Sequence, residues 1–185
     1  SFDGTWQEIA LRICQARANF DRRRQAPNNP IGQKRTARIF DATPSLALHR
    51  FAAAVHSLVP PRNATWQKVK SSNEKLNESI AVQRYFDEVT KILFAARYAA
   101  NFDNQVQECY ADLGAFNTMV LFIGDTGREI LYKAIPLWQC YFAENQDGVV
   151  DMMSREYNFT ARQAVAEFGP DVLPQAIRTA AERTP

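Results

Sequence analysis

The chain has 185 residues and a formal net charge of +2, and 46% of its residues are hydrophobic, 11% aromatic and 23% charged. This length suits one domain with a full core, and the composition excludes global disorder and a fibrous repeat. No apolar run approaches the roughly 18 residues that cross a bilayer, so we expect a soluble protein with no membrane partner. The chain begins with Ser1 instead of Met, which indicates trimming or processing.

The small net charge hides a segregation of charge along the chain. The stretch 22–38 contains six cations and no acid, whereas the remaining 16 cations and 20 acids leave a net charge of −4. Such a basic segment attracts phosphate groups or an acidic protein surface, and we favour the protein surface slightly. No aromatic residue lies between its cations, so stacking on bases is not supported. The basic segment consists of Arg22, Arg23, Arg24, Lys34, Arg35 and Arg38.

The three cysteines show neither a disulfide framework nor a zinc site. Cys14, Cys109 and Cys140 are odd in number, widely separated and outside any CxxC pair. Each lies in an apolar pattern, so we expect buried structural thiols in a reducing compartment.

The first helix is predicted from a capping box and from apolar residues at three- and four-residue spacing. Thr5 and Glu8 have the capping-box spacing, and the helix behind them is expected to run about five turns to the arginines at 22–24. Proline and asparagine then predict a loop or arm over 25–33.

A second helix is predicted to begin at Thr43, whose hydroxyl caps it, and to carry Pro44 in its first turn. Pro60 and Pro61 end it. Beyond them the apolar spacing predicts one short strand and two further helices, at 65–69, 77–100 and 103–116.

Two hairpins are predicted in the second half of the chain. The first joins strands at 118–123 and 129–135. The second joins strands at 138–143 and 149–157 through the sequence Asn-Gln-Asp-Gly, whose residues tolerate the positive φ of a tight turn.

A helix follows the second hairpin, since Thr160 and Gln163 form a capping box and Gly169 ends the apolar pattern. The elements together predict an α+β fold, helix-rich with a small antiparallel β-meander of about four strands. We expect a single domain over 1–185 with four parts: an N-terminal helix and basic arm at 1–40, a helical part at 41–117, the meander at 118–157 and C-terminal helices at 160–183.

Few side chains are placed for catalysis or for metal binding. His49 and His56 lie seven residues apart on one predicted helix with no acid nearby in sequence, so we interpret them as surface or interface residues. Glu108 and Asp112 have the spacing for a divalent cation or an acid–base pair, but a solvated polar face is the favoured interpretation. We therefore predict no enzyme activity, no catalytic residue, no metal site and no cofactor.

Two turns carry polar residues that resemble known sites only superficially. Gly124-Asp-Thr-Gly-Arg128 lacks the spacing of a phosphate-binding loop and is predicted to be a hairpin turn. Glu144, Asp147 and Asp151 cluster around the second hairpin without the twelve-residue pattern of a calcium loop. These three acids are instead a candidate acidic docking surface.

Four stretches, taken in order, carry a resemblance to a known family. They are RTARIFDATPSLALHRFAAAVHSLVPP at 35–61, ATWQKV at 64–69, ANFDNQVQECYADLGAFNTMVLF at 100–122 and IPLWQCYFAENQDGVVDMMSREYNFTARQAVAEFG at 135–169. In this order they resemble the portal, or head-to-tail connecting, proteins of short-tailed double-stranded DNA bacteriophages. Phe40 and Ala42 depart from the pattern, which has Tyr and Ser there.

The resemblance implies a non-enzymatic subunit of a dodecameric ring at one capsid vertex of the virion, through which double-stranded DNA is packaged and ejected. It also implies terminase, a tail adaptor, and capsid and scaffolding proteins as partners, with assembly in the cytoplasm of the bacterial host. Members of the family are longer, so these residues are expected to form an outer, wing-like portion without the stem and clip.

A closed ring joins two different patches on neighbouring copies. We expect the basic segment of one copy to reach the acidic surface formed by Glu144, Asp147 and Asp151 on the next.

Two hypotheses from other classes stay open at this point. A monomeric nucleic-acid-binding module that uses the basic segment predicts steeply salt-dependent DNA affinity without a ring. An enzyme of unrecognised type requires His49, or the pair Glu108 and Asp112, to lie in a deep cleft with convergent polar groups.

Overall fold

The computed structural model describes residues 2–20, 39–62, 64–156 and 158–183. The chain divides into two compact units, Ser1–Trp138 and Gln139–Pro185. Within these residues, seven α-helices and two small antiparallel sheets confirm the predicted α+β class. The prediction of a single domain stays a prediction, and the basic segment lies outside the described residues.

The described part of the first unit contains five helices and one hairpin. These elements are α1 (Asp3–Ile13), α2 (Thr43–Leu58), α3 (Glu74–Asn77), α4 (Ile80–Ala99), α5 (Phe102–Phe116), β1 (Leu121–Asp125) and β2 (Ile130–Ala134), with a short 3-10 helix at Gln15–Arg17. The second unit contains β3 (Cys140–Glu144), β4 (Val150–Arg155), α6 (Ala161–Phe168) and α7 (Gln175–Arg183), and a 3-10 turn at Leu137–Gln139 leads into β3.

Helix α5, which the apolar spacing predicts, is the centre of the described part of the first unit. Its buried residues follow the period of a helix that packs on more than one side, and α1, α2 and β2 all contact it. One core cluster joins Phe116 to Ala10 and Leu137, and a second joins Tyr110 to Ala52. Burial of these side chains supplies most of the driving force that holds the helices together.

Helix α1 is shorter than the sequence predicts. It begins after Phe2, with no side-chain capping bond, so Thr5 lies inside the helix and the predicted capping box is wrong. The helix ends at Ile13, and Cys14 leads into the 3-10 helix. The chain then turns back, because the buried Gln7 side chain accepts a 2.8 Å hydrogen bond from the amide of Phe20.

Helix α2 has the predicted limits but a different cap. Thr43 is its first residue, and the carboxylate of Asp41 accepts hydrogen bonds from the Thr43 amide at 2.9 Å and from its hydroxyl at 2.7 Å. Asp41 therefore orders the start of this helix in place of the predicted threonine cap. The Ser45 hydroxyl donates to the carbonyl of Ile13 at 2.6 Å and ties α2 to the end of α1.

The strand predicted at 65–69 is absent from the described residues, where this stretch has no regular secondary structure. Side chains of α4 hold it instead. The amide of Val69 donates to the Thr90 hydroxyl at 3.1 Å, and Lys68 pairs with Asp87 at 2.6 Å. Arg97 lies over the ring of Trp66, 5.0 Å from its centroid.

The four strands form two separate two-stranded sheets in the described chain, not one meander. In the first sheet, the Asn101 side chain takes the place of a third strand beside β2. It accepts from the amide of Tyr132 at 2.9 Å and donates to the carbonyl of the same residue at 2.8 Å. Gln105 accepts from the amide of Ala134 at 2.8 Å. Polar side chains from the start of α5 therefore supply hydrogen-bond partners for the backbone groups at this edge of the sheet.

The second unit follows the sequence pattern closely. Thr160 and Gln163 form the predicted capping box, and α6 ends at Phe168 before Gly169, whose φ is +80°. Phe159 packs edge-on against Phe168, with 5.6 Å between the ring centroids. Among the described residues of this unit, only Cys140 and Ala164 are buried, so the unit has very little core of its own.

Candidate functional site

The three acids predicted as a docking surface lie on the β3–β4 hairpin. Glu144 ends β3, Asp147 lies in the turn and Asp151 lies in β4. The register of the two paired strands shifts between Ala143 and Glu144. All three acids are exposed. No Lys or Arg lies between residues 134 and 154, and Arg155 ends β4 at the opposite end of the hairpin from the turn.

The turn that presents the acids is held by its own hydrogen bonds. The Asn145 carboxamide accepts from the amides of Asp147 at 2.9 Å and Val149 at 3.0 Å, and Gly148 takes a φ of +74°. This is the turn chemistry that the Asn-Gln-Asp-Gly sequence predicts. Asp147 therefore projects from an ordered turn, and Glu144 and Asp151 lie on the strands beside it.

The basic residues predicted as the complementary site lie outside the described residues. Their contacts, and their approach to the acidic hairpin, stay predictions. They are Arg22, Arg23, Arg24, Lys34, Arg35 and Arg38.

Asp112 is not on a solvated polar face, so that interpretation is wrong. Its side chain is only 2% exposed and its carboxylate accepts a 2.8 Å hydrogen bond from Nε of Arg17. Glu108 pairs with the same guanidinium at 3.2 Å but is largely exposed. The two acids thus anchor the 3-10 helix after α1 to the middle of α5.

Electrostatics around Asp112 are those of a structural ion pair. Burial raises the pKa of the Asp112 carboxyl above its ordinary value, and the Arg17 guanidinium opposes that rise. The sequence did not predict that Arg17 pairs with Asp112, because 95 residues separate the two in the chain. A signal for burial was present, since Asp112 is three residues after Cys109 and four before Phe116 on the apolar side of the helix.

Two of the cysteines border this ion pair. Burial, followed by the negative charge of Asp112, raises the pKa of the Cys109 thiol to about 11 and also raises that of Cys14. Burial likewise raises the pKa of Cys140. Thiols with raised pKa values are poor nucleophiles at neutral pH, which fits the predicted structural role.

The two histidines have different surroundings. His49 is exposed, whereas His56 is partly buried with Nε2 3.8 Å from a carboxylate oxygen of Asp103. Asp103 also accepts a hydrogen bond from Arg62, and the His56 ring lies beside Tyr110. Asp103 is an acid that sequence reasoning missed, because it is distant from His56 in the chain. A 3.8 Å separation with a competing arginine is not the geometry of a catalytic pair.

The stretch from Gly124 to Arg128 is the predicted hairpin turn. Asp125 accepts a 2.7 Å hydrogen bond from the amide of Gly127, whose φ is +77°. The Thr126 hydroxyl donates to the carbonyl of Glu129 at 2.9 Å. These bonds close the turn between β1 and β2.

Within the described ranges, no group of three or more His, Cys, Asp or Glu side chains is arranged to hold a metal ion. The helices described here include none long and apolar enough to span a membrane.

The sequence matches the family described as bacteriophage head to tail connecting protein over residues 1–185. The chain belongs to this family. The resemblance found from the four ordered stretches is thereby confirmed.

Two relatives of this head-to-tail connecting protein carry portal names. It is 26% identical over 182 residues to the "Probable portal protein" of Bordetella phage BPP-1, an alignment that covers 96% of this chain and 32% of the relative. It is 23% identical over 146 residues to the "Portal protein" of Salmonella phage epsilon15, covering 78% of this chain and 26% of the relative. The chain thus spans about a third or less of these relatives. The alternative of a monomeric nucleic-acid-binding module finds no support in these comparisons.

Proposed function

We propose that this chain is the wing-like portion of a portal subunit, a non-enzymatic protein that assembles into a closed ring at one vertex of a phage capsid. The match to the head-to-tail connecting family over the whole chain is the observation that carries this proposal, and both relatives described above have portal names. Double-stranded DNA passes through the ring during packaging and ejection.

The partners follow from the same proposal. A subunit in this position meets terminase during packaging and a tail adaptor afterwards, and it contacts capsid and scaffolding proteins at the vertex. Assembly takes place in the cytoplasm of the bacterial host. Twelve copies are the number that the family resemblance implies.

The buried ion pair of the described residues supports a structural part in this proposal. Asp112, the most buried charged side chain among the described residues, binds Arg17 and joins the 3-10 helix after α1 to α5. The partly buried histidine lies beside an acid that Arg62 already binds. Neither arrangement presents a free acid–base pair to a substrate, which supports a structural role.

Electron microscopy of negatively stained complete protein, together with its native mass, tests the proposal. The expected result is a ring of identical subunits with a central channel. A protein that stays monomeric at micromolar concentration, with or without DNA, would show that the portal assignment is wrong.

Within this ring we propose that the basic segment of one copy contacts the acidic hairpin of the next. Opposite charges on two different patches of one chain suit the head-to-tail contact that closes a ring. The triple reversal Arg23→Glu, Arg24→Glu and Arg35→Glu is expected to reduce ring formation. The matched control reverses three exposed lysines of the described chain, namely Lys70, Lys75 and Lys133. Equal assembly of both triple variants would contradict this contact.

A further inference from the structure

The strap, residues 64–71, lies along helix α4 without belonging to a helix or a strand. Side chains of α4 hold it there: the Thr90 hydroxyl accepts the Val69 amide at 3.1 Å, and Asp87 pairs with Lys68 at 2.6 Å. Within the described ranges, no backbone hydrogen bond joins the strap to the backbone of a helix or strand. The strap is therefore held without the continuous ladder that fixes a strand in a sheet.

Arg97 of α4 joins the strap to the two neighbouring helices. Its guanidinium carbon lies 5.0 Å from the ring centroid of Trp66 in the strap, 5.6 Å from that of Phe94 in α4 and 5.7 Å from that of Phe102 in α5. The same guanidinium donates a hydrogen bond to the Gln67 side chain at 2.9 Å. A cation is attracted by each aromatic face that it lies over, so Arg97 holds three parts of the chain together.

Both ends of the strap are tied by separate contacts. Just before the strap, the Arg62 guanidinium binds the carboxylate of Asp103 in α5, and the Arg62 carbonyl accepts from the Tyr98 hydroxyl at 2.6 Å. At the other end, Ser71 exchanges two 3.0 Å hydrogen bonds between its backbone and the Asn77 side chain. These contacts do not involve Arg97, so they hold the ends in place when the middle of the strap separates from α4.

The middle of the strap has little burial to keep it closed. The whole strap lies within the described residues, none of it is buried, and Trp66 is 36% exposed. The side chains of Lys68 and Asp87 are 55% and 45% exposed, and ion pairs this exposed contribute little. Neither core cluster of the described residues includes a strap residue. Segments with few buried apolar contacts open at a lower free energy than the core helices do.

We propose that the strap opens from α4 while the helices stay folded, and that Arg97 is the latch that keeps it closed. Opening uncovers Thr90, which is 5% exposed and accepts the Val69 amide when the strap is closed. Because α4 contributes no residue to either core cluster of the described chain, the closed strap helps to fix α4 against α5. The latch does not depend on the proposed ring, since every contact that forms it lies within one chain.

Cysteine labelling at position 90 of the complete protein tests the latch. In a Thr90→Cys background, Arg97→Met removes the guanidinium, and mass spectrometry follows the reaction with N-ethylmaleimide. The matched control is Lys91→Met, which removes a cation of the same helix whose side chain is 74% exposed. We expect position 90 to react slowly in the control and at least about tenfold faster in Arg97→Met, because the contacts of Arg97 with the strap are lost.

The native Cys109 separates local opening of the strap from unfolding, because this residue is buried in α5. Its labelling in the same samples is expected to be slow and equal in both variants. Labelling of Cys109 that accelerates together with position 90 would show that the helices unfold with the strap, and would overturn the proposal. Equal labelling of position 90 in the two variants would overturn the role of Arg97.

Hydrogen exchange gives an independent measurement without the added cysteine. In the complete protein, we expect the amides of the strap, that of Val69 included, to exchange at least about tenfold faster in Arg97→Met than in Lys91→Met. The amides of α5 are expected to exchange at the same rate in both variants. Unchanged exchange in the strap, or an acceleration that includes α5, would contradict the proposal.

Discussion

Replacing Arg17 tests whether the buried ion pair really joins the start of the chain to helix α5. Arg17→Met keeps an apolar stem of similar length but removes the guanidinium that binds Asp112 at 2.8 Å and Glu108 at 3.2 Å. Asp112 is only 2% exposed, so its carboxylate is left buried and unpaired. Losing one partner of a buried pair costs about 3 to 5 kcal/mol. Because the Arg17 side chain is 15% exposed, we expect the lower end of that range, about 3 kcal/mol.

The size of this effect should depend on pH. Burial raises the pKa of Asp112 above its ordinary value of 3.8, and Arg17 opposes the rise. A carboxyl with a raised pKa contributes stability that is complete below 3.8 and is lost as the pH rises through its folded-state pKa. Without Arg17 that folded-state pKa is higher still, so more stability is lost at neutral pH. The penalty of Arg17→Met is therefore expected to shrink as the pH is lowered toward 3.8.

Urea unfolding of the 185-residue chain measures this penalty. The fluorescence of Trp6, whose ring lies 6.3 Å from that of Phe116, reports on the packing of α1 against α5. In thermal unfolding followed by the same fluorescence, we expect the melting temperature to fall by about 6 to 12 °C, since a chain of this size loses about 2 to 4 °C per kcal/mol.

Arg12→Met is the matched control. Arg12 pairs with Glu8 at 2.6 Å, but the two side chains are 73% and 65% exposed, so this pair is worth about 0.5 kcal/mol or less. If Arg12→Met and Arg17→Met cost the same, or if the Arg17→Met penalty is as large at acidic as at neutral pH, the structural role given to the ion pair is wrong.

Three further outcomes follow from local features. Thr160→Ala removes the hydroxyl that caps α6 and should cost about 1 kcal/mol, seen as faster hydrogen exchange at the Gln163 amide; unchanged exchange would argue against the capping box. Asn117→Ala should lower the free energy of unfolding in urea by about 1 kcal/mol because φ at this position is +57°, whereas Asn117→Gly should not lower it. Equal losses of stability in the two variants would exclude a backbone origin. Iodoacetamide should label Cys109 far more slowly in the folded than in the unfolded chain at neutral pH, since its thiol pKa in the folded chain is about 11. Mass spectrometry measures the labelling, and rapid labelling of Cys109 in the folded chain would refute this.

Features that depend on a few consecutive residues could be predicted. The capping box of Thr160 and Gln163 and the Asn-Gln-Asp-Gly turn were predicted correctly, because the atoms that form these hydrogen bonds lie within five residues of one another. The limits of α2 were predicted from proline, which fixes φ and lacks an amide hydrogen whatever surrounds it. Strands β2 and β3 were likewise recognised from apolar alternation, β1 from a continuous apolar run and β4 from its place after the turn.

Features that depend on distant partners could not be predicted. Trp6, Ile9 and Phe20 suggested one continuous helix, but the packing of Phe20 against Phe116 and the bond from its amide to Gln7 favour a break after Ile13. The segment at 65–69 has the composition of a strand, yet α4 supplies its hydrogen-bond partner through Thr90.

By itself, the sequence determined the α+β class, most element limits, the charge segregation and, through four ordered stretches, the family. Only the tertiary structure decided that Asp112 is a buried partner of Arg17, that the four strands form two separate hairpins and that the second hairpin exposes its apolar side chains. The physical reason is the range of the interactions. Caps and turns are satisfied by neighbours in the chain, whereas burial and ion pairing depend on residues that only folding, or a second copy, brings into contact.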